Sequence, residues 1–481
     1  MTRRDFIGAG AAFASTSFAE TVDGIIRSPF PVPRSPFSVS GSPLMRLGII
    51  SDTHLVVNDS GTGLQNSLCF EPALRYFDQR KADGVLIAGD LTDFGTAAAL
   101  RHFASIWNKV FPGNRRSDGE QVVPLFIFGD HDMGGYMHTY SWAPKDEVES
   151  GVIPEMDVAA LWRECFDEEW SPIQVKECKG FKFVLAHHPR HTAESDMGNS
   201  MPGLADFMAA QTFDPEKPFF FVQHRIFGDT VLFADCGWEN GKTTAILKNY
   251  PNAIAFCGHG HCNAADELCL WQDEFTAIQV PSINFCCTRS GRENGYHNAD
   301  TDAIMPKGEI RKSWQGMFGT MYADRFVVER RDFLNGRPLG PDWTIPLPSP
   351  DGSLRREIRA KLSNPPQFSP CAKIYTFEKT VVNKAGTATD AVVVSFPVAH
   401  GRRLVARAFD YVVTAKKGNV VLKEKYVFPK GQFWADDRDV SSVECAFAKS
   451  DLPADWRTSV KFSVAPRDSF GKRGREISSL S

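Results

Sequence analysis

Aspartate and histidine recur in this chain directly after short apolar runs. Ser51-Asp52-Thr53-His54 follows residues 47–50, and Gly89-Asp90-Leu91-Thr92-Asp93 follows 85–88. Gly129-Asp130-His131-Asp132 follows 125–128, Gln223-His224 follows 219–222, and Gly258-His259-Gly260-His261 closes the run 253–257. One Gly-Asp or one Asp-x-His would be weak; the set, in this order, is specific. These side chains suit divalent transition metals of intermediate hardness such as Mn, Fe, Zn or Ni. One carboxylate can bridge two cations, and two cations about 3.5–4 Å apart can clamp a phosphate and activate water for in-line attack.

The elements that must position such groups are also readable. Each run is short, continuously apolar and bounded by Gly, Asp or His, the pattern of a strand buried on both faces. Helical patterns over 68–80 and 97–110 separate the early runs. Strand–helix alternation predicts an α/β domain with its metal-binding side chains at strand ends, where such sheets bind ligands.

As a set, these five motifs resemble the calcineurin-like metallophosphoesterases, from about Arg46 to about Pro348. The resemblance implies a two-layered β-sandwich flanked by helices and two divalent metal ions. Asp52, His54 and His261 would hold one ion, Asp130, His224 and His259 the other, and Asp90 would bridge both. His131 would be the catalytic histidine near the leaving-group oxygen, with Asp132 orienting its ring. A metal-activated hydroxide is the implied nucleophile, with no covalent enzyme intermediate. One position departs from the family pattern, since Asp130 stands where Asn is usual. A carboxylate still ligates through oxygen, but it loses an amide donor and adds a negative charge beside an anionic substrate. That charge favours monoanionic diesters over dianionic monoesters. Purple acid phosphatases carry Tyr three residues after the bridging Asp; Asp93 at that position disfavours the subgroup. His187-His188-Pro189 competes with His224 for the fourth motif, and the spacing of His224 before His259, with a helix expected over 243–249, favours His224. Residues 237–243 fall one residue short of a P-loop.

The chain ends carry different signals. Arg3-Arg4 precedes the uncharged residues 6–19, which are too few to span a bilayer, and Ser17-Phe18-Ala19 offers small residues near a cleavage point. This resembles a twin-arginine export signal over 1–27, followed by a Pro/Ser-rich tether over 28–45, and implies a periplasmic or extracellular protein. No apolar stretch is long enough for a transmembrane anchor. With 481 residues the chain exceeds one ordinary core, and a net charge of −4 gives no basic field for nucleic acid. The 11 cysteines are scattered; Cys257, Cys262 and Cys269 lack paired C-x-x-C spacing and read as core rather than zinc ligands. The catalytic domain is assigned to 46–348 and a linker with a helical stretch near 354–362 to 349–365. Residues 366–481 form a further domain. There 391–394 is a buried run and 459–464 alternates with period two, predicting an all-β sandwich that looks like a fibronectin type III or immunoglobulin-like module. These features describe an exported, dinuclear metal-dependent hydrolase of phosphomono- or phosphodiesters. A catalytically weak binding protein retaining the same fold is the second reading, and Asp130 is the residue that supports it.

Overall fold

The computed structural model describes residues 41–57, 62–133, 143, 145–190, 201–236, 241–295, 302–306, 314–333, 336–401, 408–429 and 441–479. The export-type signal and residues 28–40 of the tether lie outside these residues, as do residues 237–240 of the P-loop-like stretch. Among the described residues no helix is long and apolar enough to cross a membrane.

The first three apolar runs form β1 (Met45–Ile50), β2 (Gly84–Ala88) and β3 (Val123–Ile127), paired in parallel. Parallel neighbours need crossovers, supplied by α1 (Thr62–Gln79) and α2 (Ala97–Val110). The Thr96 side chain starts α2 by accepting the Ala99 N–H. A further helix, α3 (Val158–Phe166), precedes the hairpin of β4 (Ile173–Cys178) and β5 (Phe181–Ala186). That hairpin opens a second sheet with β6 (Phe219–Val222), β7 (Ala253–Cys257), β8 (Leu270–Gln272) and β9 (Thr276–Gln279), in the order β4-β5-β6-β7-β9-β8. The helix expected over 243–249 is α4 (Lys242–Leu247). Four later strands return to the first sheet: β10 (Gln315–Met321), β11 (Arg325–Asp332), β12 (Arg337–Pro338) and β13 (Trp343–Pro346). The order there is β12-β11-β10-β1-β2-β3, with β13 also paired to β11.

Side-chain alternation explains the layering. Leu47, Ile49, Leu86 and Ala88 face the second sheet and pack with Phe183, Phe220 and Phe256. Ile50, Val85 and Ile87 point the other way, under Phe70, Phe103, Trp107 and Trp162 of the helices. With both faces covered, the strands carry no polar face, which is why they are continuously apolar in sequence. The expected two-layered sandwich flanked by helices is the observed architecture.

After α5 (Arg356–Leu362) come two antiparallel sheets, numbered along the chain as β14 (Tyr375–Val382), β15 (Ala388–Pro397), β16 (Asp410–Lys417), β17 (Val420–Val427), β18 (Ser442–Ala448), β19 (Val460–Arg467) and β20 (Ile477–Ser478). They pair as β14-β15-β18 and β17-β16-β19-β20 and share one core in which Val392, Val394 and Phe396 meet Tyr411, Val413 and Val464. This all-β unit is tied to the first through buried charge. Asp410 takes Arg292 at 3.0 Å and Arg467 at 2.6 Å, and Lys425 meets Glu293 at 3.1 Å. All eleven cysteines are free thiols. Cys262 and Cys269 are buried and donate to the carbonyls of Gln279 and Asn263, as core residues do.

Candidate metal centre

The five motifs converge where the two sheets' strands end. Asp52, His54, Asp90 and His261 each bring one ligand atom within 4.8 Å of the others, and Asp90, Asp130, His224 and His259 do the same. Asp90 belongs to both groups. Its Oδ2 lies 3.1 Å from His224 Nε2 and 3.6 Å from His54 Nε2, while its Oδ1 accepts the His131 backbone N–H.

Local backbone geometry aims these groups. Asp52, His54, Asp90, His259 and His261 all sit in the left-handed region, with φ of 55°, 46°, 52°, 64° and 44°. Non-glycine residues occupy that region at a cost of roughly 1–2 kcal/mol each, and clustered strain of this kind is characteristic of functional sites. Two glycines make room. A Cβ on Gly129 would lie 2.1 Å from Asp90 Oδ1, and one on Gly89 would lie 2.3 Å from the His224 ring.

The hydrogen bonds fix where the lone pairs point. His261 Nδ1 meets the Phe285 carbonyl at 3.0 Å and His224 Nδ1 the Ala88 carbonyl at 2.7 Å. A carbonyl only accepts, so each Nδ1 carries a proton and each Nε2 is the atom turned to the cluster. His54 Nδ1 likewise donates to Asp93 Oδ1 at 3.0 Å, and the facing Nε2 atoms of His54 and His261 stand 3.0 Å apart. Buried Asp52 Oδ2 has no hydrogen-bond partner among the described residues, and His224 Nε2 faces two carboxylate oxygens at once, Asp130 Oδ1 at 2.9 Å and Asp90 Oδ2 at 3.1 Å. Carboxylates crowded together and an unanswered carboxylate oxygen are costly in a buried site unless a cation lies among them. The donor set fits two divalent ions.

Residues 45–263 match the family model of the calcineurin-like phosphoesterases, a span that contains every candidate ligand. The chain carries a calcineurin-like phosphoesterase domain. Comparison with curated protein sequences gives no match. Among solved structures the chain is similar to a dimetal phosphatase from Danio rerio, at 13% identity over 63% of this chain and 99% of that one, with a TM-score of 0.39. A protein from Streptococcus pneumoniae described as a predicted phosphoesterase shares 14% identity over 63% of this chain and 97% of its own, with a TM-score of 0.27. Vacuolar Protein Sorting 29 from Cryptosporidium parvum shares 11% over 63% and 97%, with a TM-score of 0.28.

Within the phosphoesterase domain three placements differ from the sequence reading. Asp132 does not orient His131. Its carboxylate accepts the backbone N–H groups of Gly129, Leu91 and Thr92 and the Thr92 hydroxyl, stapling two strand-end loops together. The turn that presents His131 to the centre sends its neighbour's side chain the opposite way. The His131 ring is held instead by Asp93, with Nδ1 2.8 Å from the Asp93 carbonyl and 3.4 Å from its Oδ1. Burial opposes charge on His131, but the Asp90 and Asp93 carboxylates prevail and push the ring up to about 10.

The third concerns Asp130. Its Oδ1 faces His224 at 2.9 Å and His259 at 3.2 Å, whereas Oδ2 receives Arg225 Nη2 at 2.8 Å. Arg225 is itself buried. Against the penalty of burial, His259, His224 and Arg225 hold the Asp130 carboxyl well below the usual range. The extra negative charge expected from Asp130 is therefore cancelled locally, and the preference for diesters drawn from it loses its premise. His187 and His188 are absent from both ligand groups. His187 Nδ1 accepts the Phe128 N–H and its ring packs on Trp162 and Trp170, so burial pushes it down to about 3 as a core histidine.

Proposed function

We propose that this protein is a metal-dependent phosphoesterase hydrolysing phosphomono- or phosphodiesters. The observation that carries the reading is Asp90, one buried carboxylate shared by two sets of lone-pair donors, with His131 beside it. Asp52, His54 and His261 would hold one ion, Asp130, His224 and His259 the other, and Asp90 both. Such a pair supplies an activated water and a clamp on phosphoryl oxygens. The chain's own residues do the rest. His131 Nδ1 donates to the Asp93 carbonyl, and Nε2 lies 3.9 Å from Asp90 Oδ2, at the edge of the centre. Held as the imidazolium, the ring can give its Nε2 proton to a departing alkoxide. Asp93 lies outside the two groups that share Asp90 and forms a third cluster with His54 and His131, its Oδ1 3.4 Å from His131 Nδ1. The pairing of Asp130 with Arg225 removes the charge argument for the catalytically weak alternative.

The test is hydrolysis of p-nitrophenyl phosphate and bis-p-nitrophenyl phosphate with added Mn²⁺, before and after chelation. Turnover that depends on the metal supports the reading. No turnover of either ester with Mn, Fe, Zn or Ni would remove it.

Two finer parts of the proposal rest on sequence. The Arg3-Arg4 signal supports export to the periplasm or beyond, tested by the distribution of an Arg3→Lys/Arg4→Lys variant, which should stay in the cytoplasm. Residues 366–481 are proposed as a fibronectin type III- or immunoglobulin-like accessory to the hydrolase, on their three-plus-four antiparallel strands. A structural search with that unit alone that returned only unrelated sandwiches would contradict it.

A further inference from the structure

The Asp130–Arg225 pair is asymmetric in its geometry. Oδ1 of Asp130 looks into the ligand cluster, and Oδ2 is turned to the guanidinium at 2.8 Å. An amide at position 130 would present N–H donors on that second side; the carboxylate presents an acceptor, and the guanidinium follows it. Arg225 is 7% exposed, yet its Nε makes no hydrogen bond among the described residues. A guanidinium has five N–H donors, and burying one with a donor unanswered costs on the order of 1–3 kcal/mol. A lone counter-charge for Asp130 needs no such arrangement. The guanidinium lies against the ligand cluster, its Nη2 in direct contact with the Asp130 carboxylate.

We propose that Arg225 is a substrate-binding residue. Its guanidinium uses the donors that Asp130 leaves over to hydrogen-bond a non-bridging phosphate oxygen, in place of the amide donor lost at position 130. Asp130 fixes the fork's orientation, and the phosphate ester is the ligand that answers it, since planar guanidinium donors match phosphate oxygens. The inference rests on the phosphoesterase reading above. It adds that phosphate affinity at this centre depends on the residue after His224.

The test is calorimetric binding of inorganic phosphate to Mn²⁺-loaded protein, with metal content measured on the same samples. Arg225→Gln should retain the metal content of the unaltered protein and bind phosphate about 10- to 100-fold more weakly, the range for a lost charge-assisted bond. Asp130→Asn/Arg225→Gln should regain most of that affinity, because the amide restores a donor. If Arg225→Gln does not fold, Arg225→Lys, which keeps the charge but not the fork, should bind phosphate with intermediate affinity. Equal phosphate affinity in the unaltered protein and the soluble Arg225 variant would overturn the proposal, as would a fall in metal content that accounts for the loss. Unaltered protein that binds metals but no phosphate would overturn the phosphoesterase reading itself, a separate result.

Discussion

Asp93→Asn is the most informative single substitution at the rim of the centre. The carboxylate holds two rings at once: Oδ1 lies 3.0 Å from His54 Nδ1 and 3.4 Å from His131 Nδ1. The amide keeps the shape and removes the charge. His131 Nδ1 keeps its bond to the backbone carbonyl at position 93, so what is lost is the neighbouring charge, worth about 1–3 pKa units for the ring, and about a 10- to 100-fold fall in turnover is expected. The His54 contact makes a second demand, because outer partners of metal-binding histidines typically carry about 10- to 100-fold in metal affinity. The assay is turnover of p-nitrophenyl and alkyl phosphates at saturating Mn²⁺, with Mn²⁺ affinity from competition against a chelating dye. The alkyl ester should lose more, since its leaving group needs the His131 proton more. Unchanged metal affinity together with equal losses on both esters would refute the two roles given to Asp93.

Two further outcomes follow from other groups. His131→Ala should keep both metal equivalents and lose about 10²–10⁴-fold in turnover, with the smaller loss on the better leaving group; equal losses on p-nitrophenyl and alkyl esters would contradict its acid role. Burial raises the Asp266 carboxyl from 3.8 to about 7, near Glu267, Arg292 and Arg289. A raised folded-state value means stability that is full below about pH 4 and is lost as pH climbs through about 7, by about 4 kcal/mol if the shift is fully expressed. Asp266→Asn, which can still accept the Leu268 N–H, should therefore show a smaller fall in urea midpoint between pH 4 and pH 8 than the unaltered protein; parallel falls would count against it.

The strand ends were legible because a strand covered on both faces leaves a continuous apolar run, and a polar residue after it has only the sheet's end to occupy. That reasoning located Asp52, Asp90, Asp130, His224 and His259 without needing the distances between strands. It failed where function depends on side-chain direction within a turn. Asp132 follows His131 in sequence, but its carboxylate is drawn off by three backbone N–H groups. Asp93 entered only as the absence of a tyrosine, although it sits three residues from Asp90 on the same loop. Arg225 lies 95 residues from Asp130, and nothing in one chain's sequence announces such a pair. The signal available was the charge itself, since an aspartate in a buried, anion-binding position calls for a cation nearby.

The central claim is a dinuclear centre bridged by Asp90, and elemental analysis tests it most directly. Mn²⁺-reconstituted protein should carry two equivalents per chain, and Asp90→Ala should fall below two because both ions lose a shared ligand. Two full equivalents in Asp90→Ala, or a single equivalent in the unaltered protein, would contradict the account.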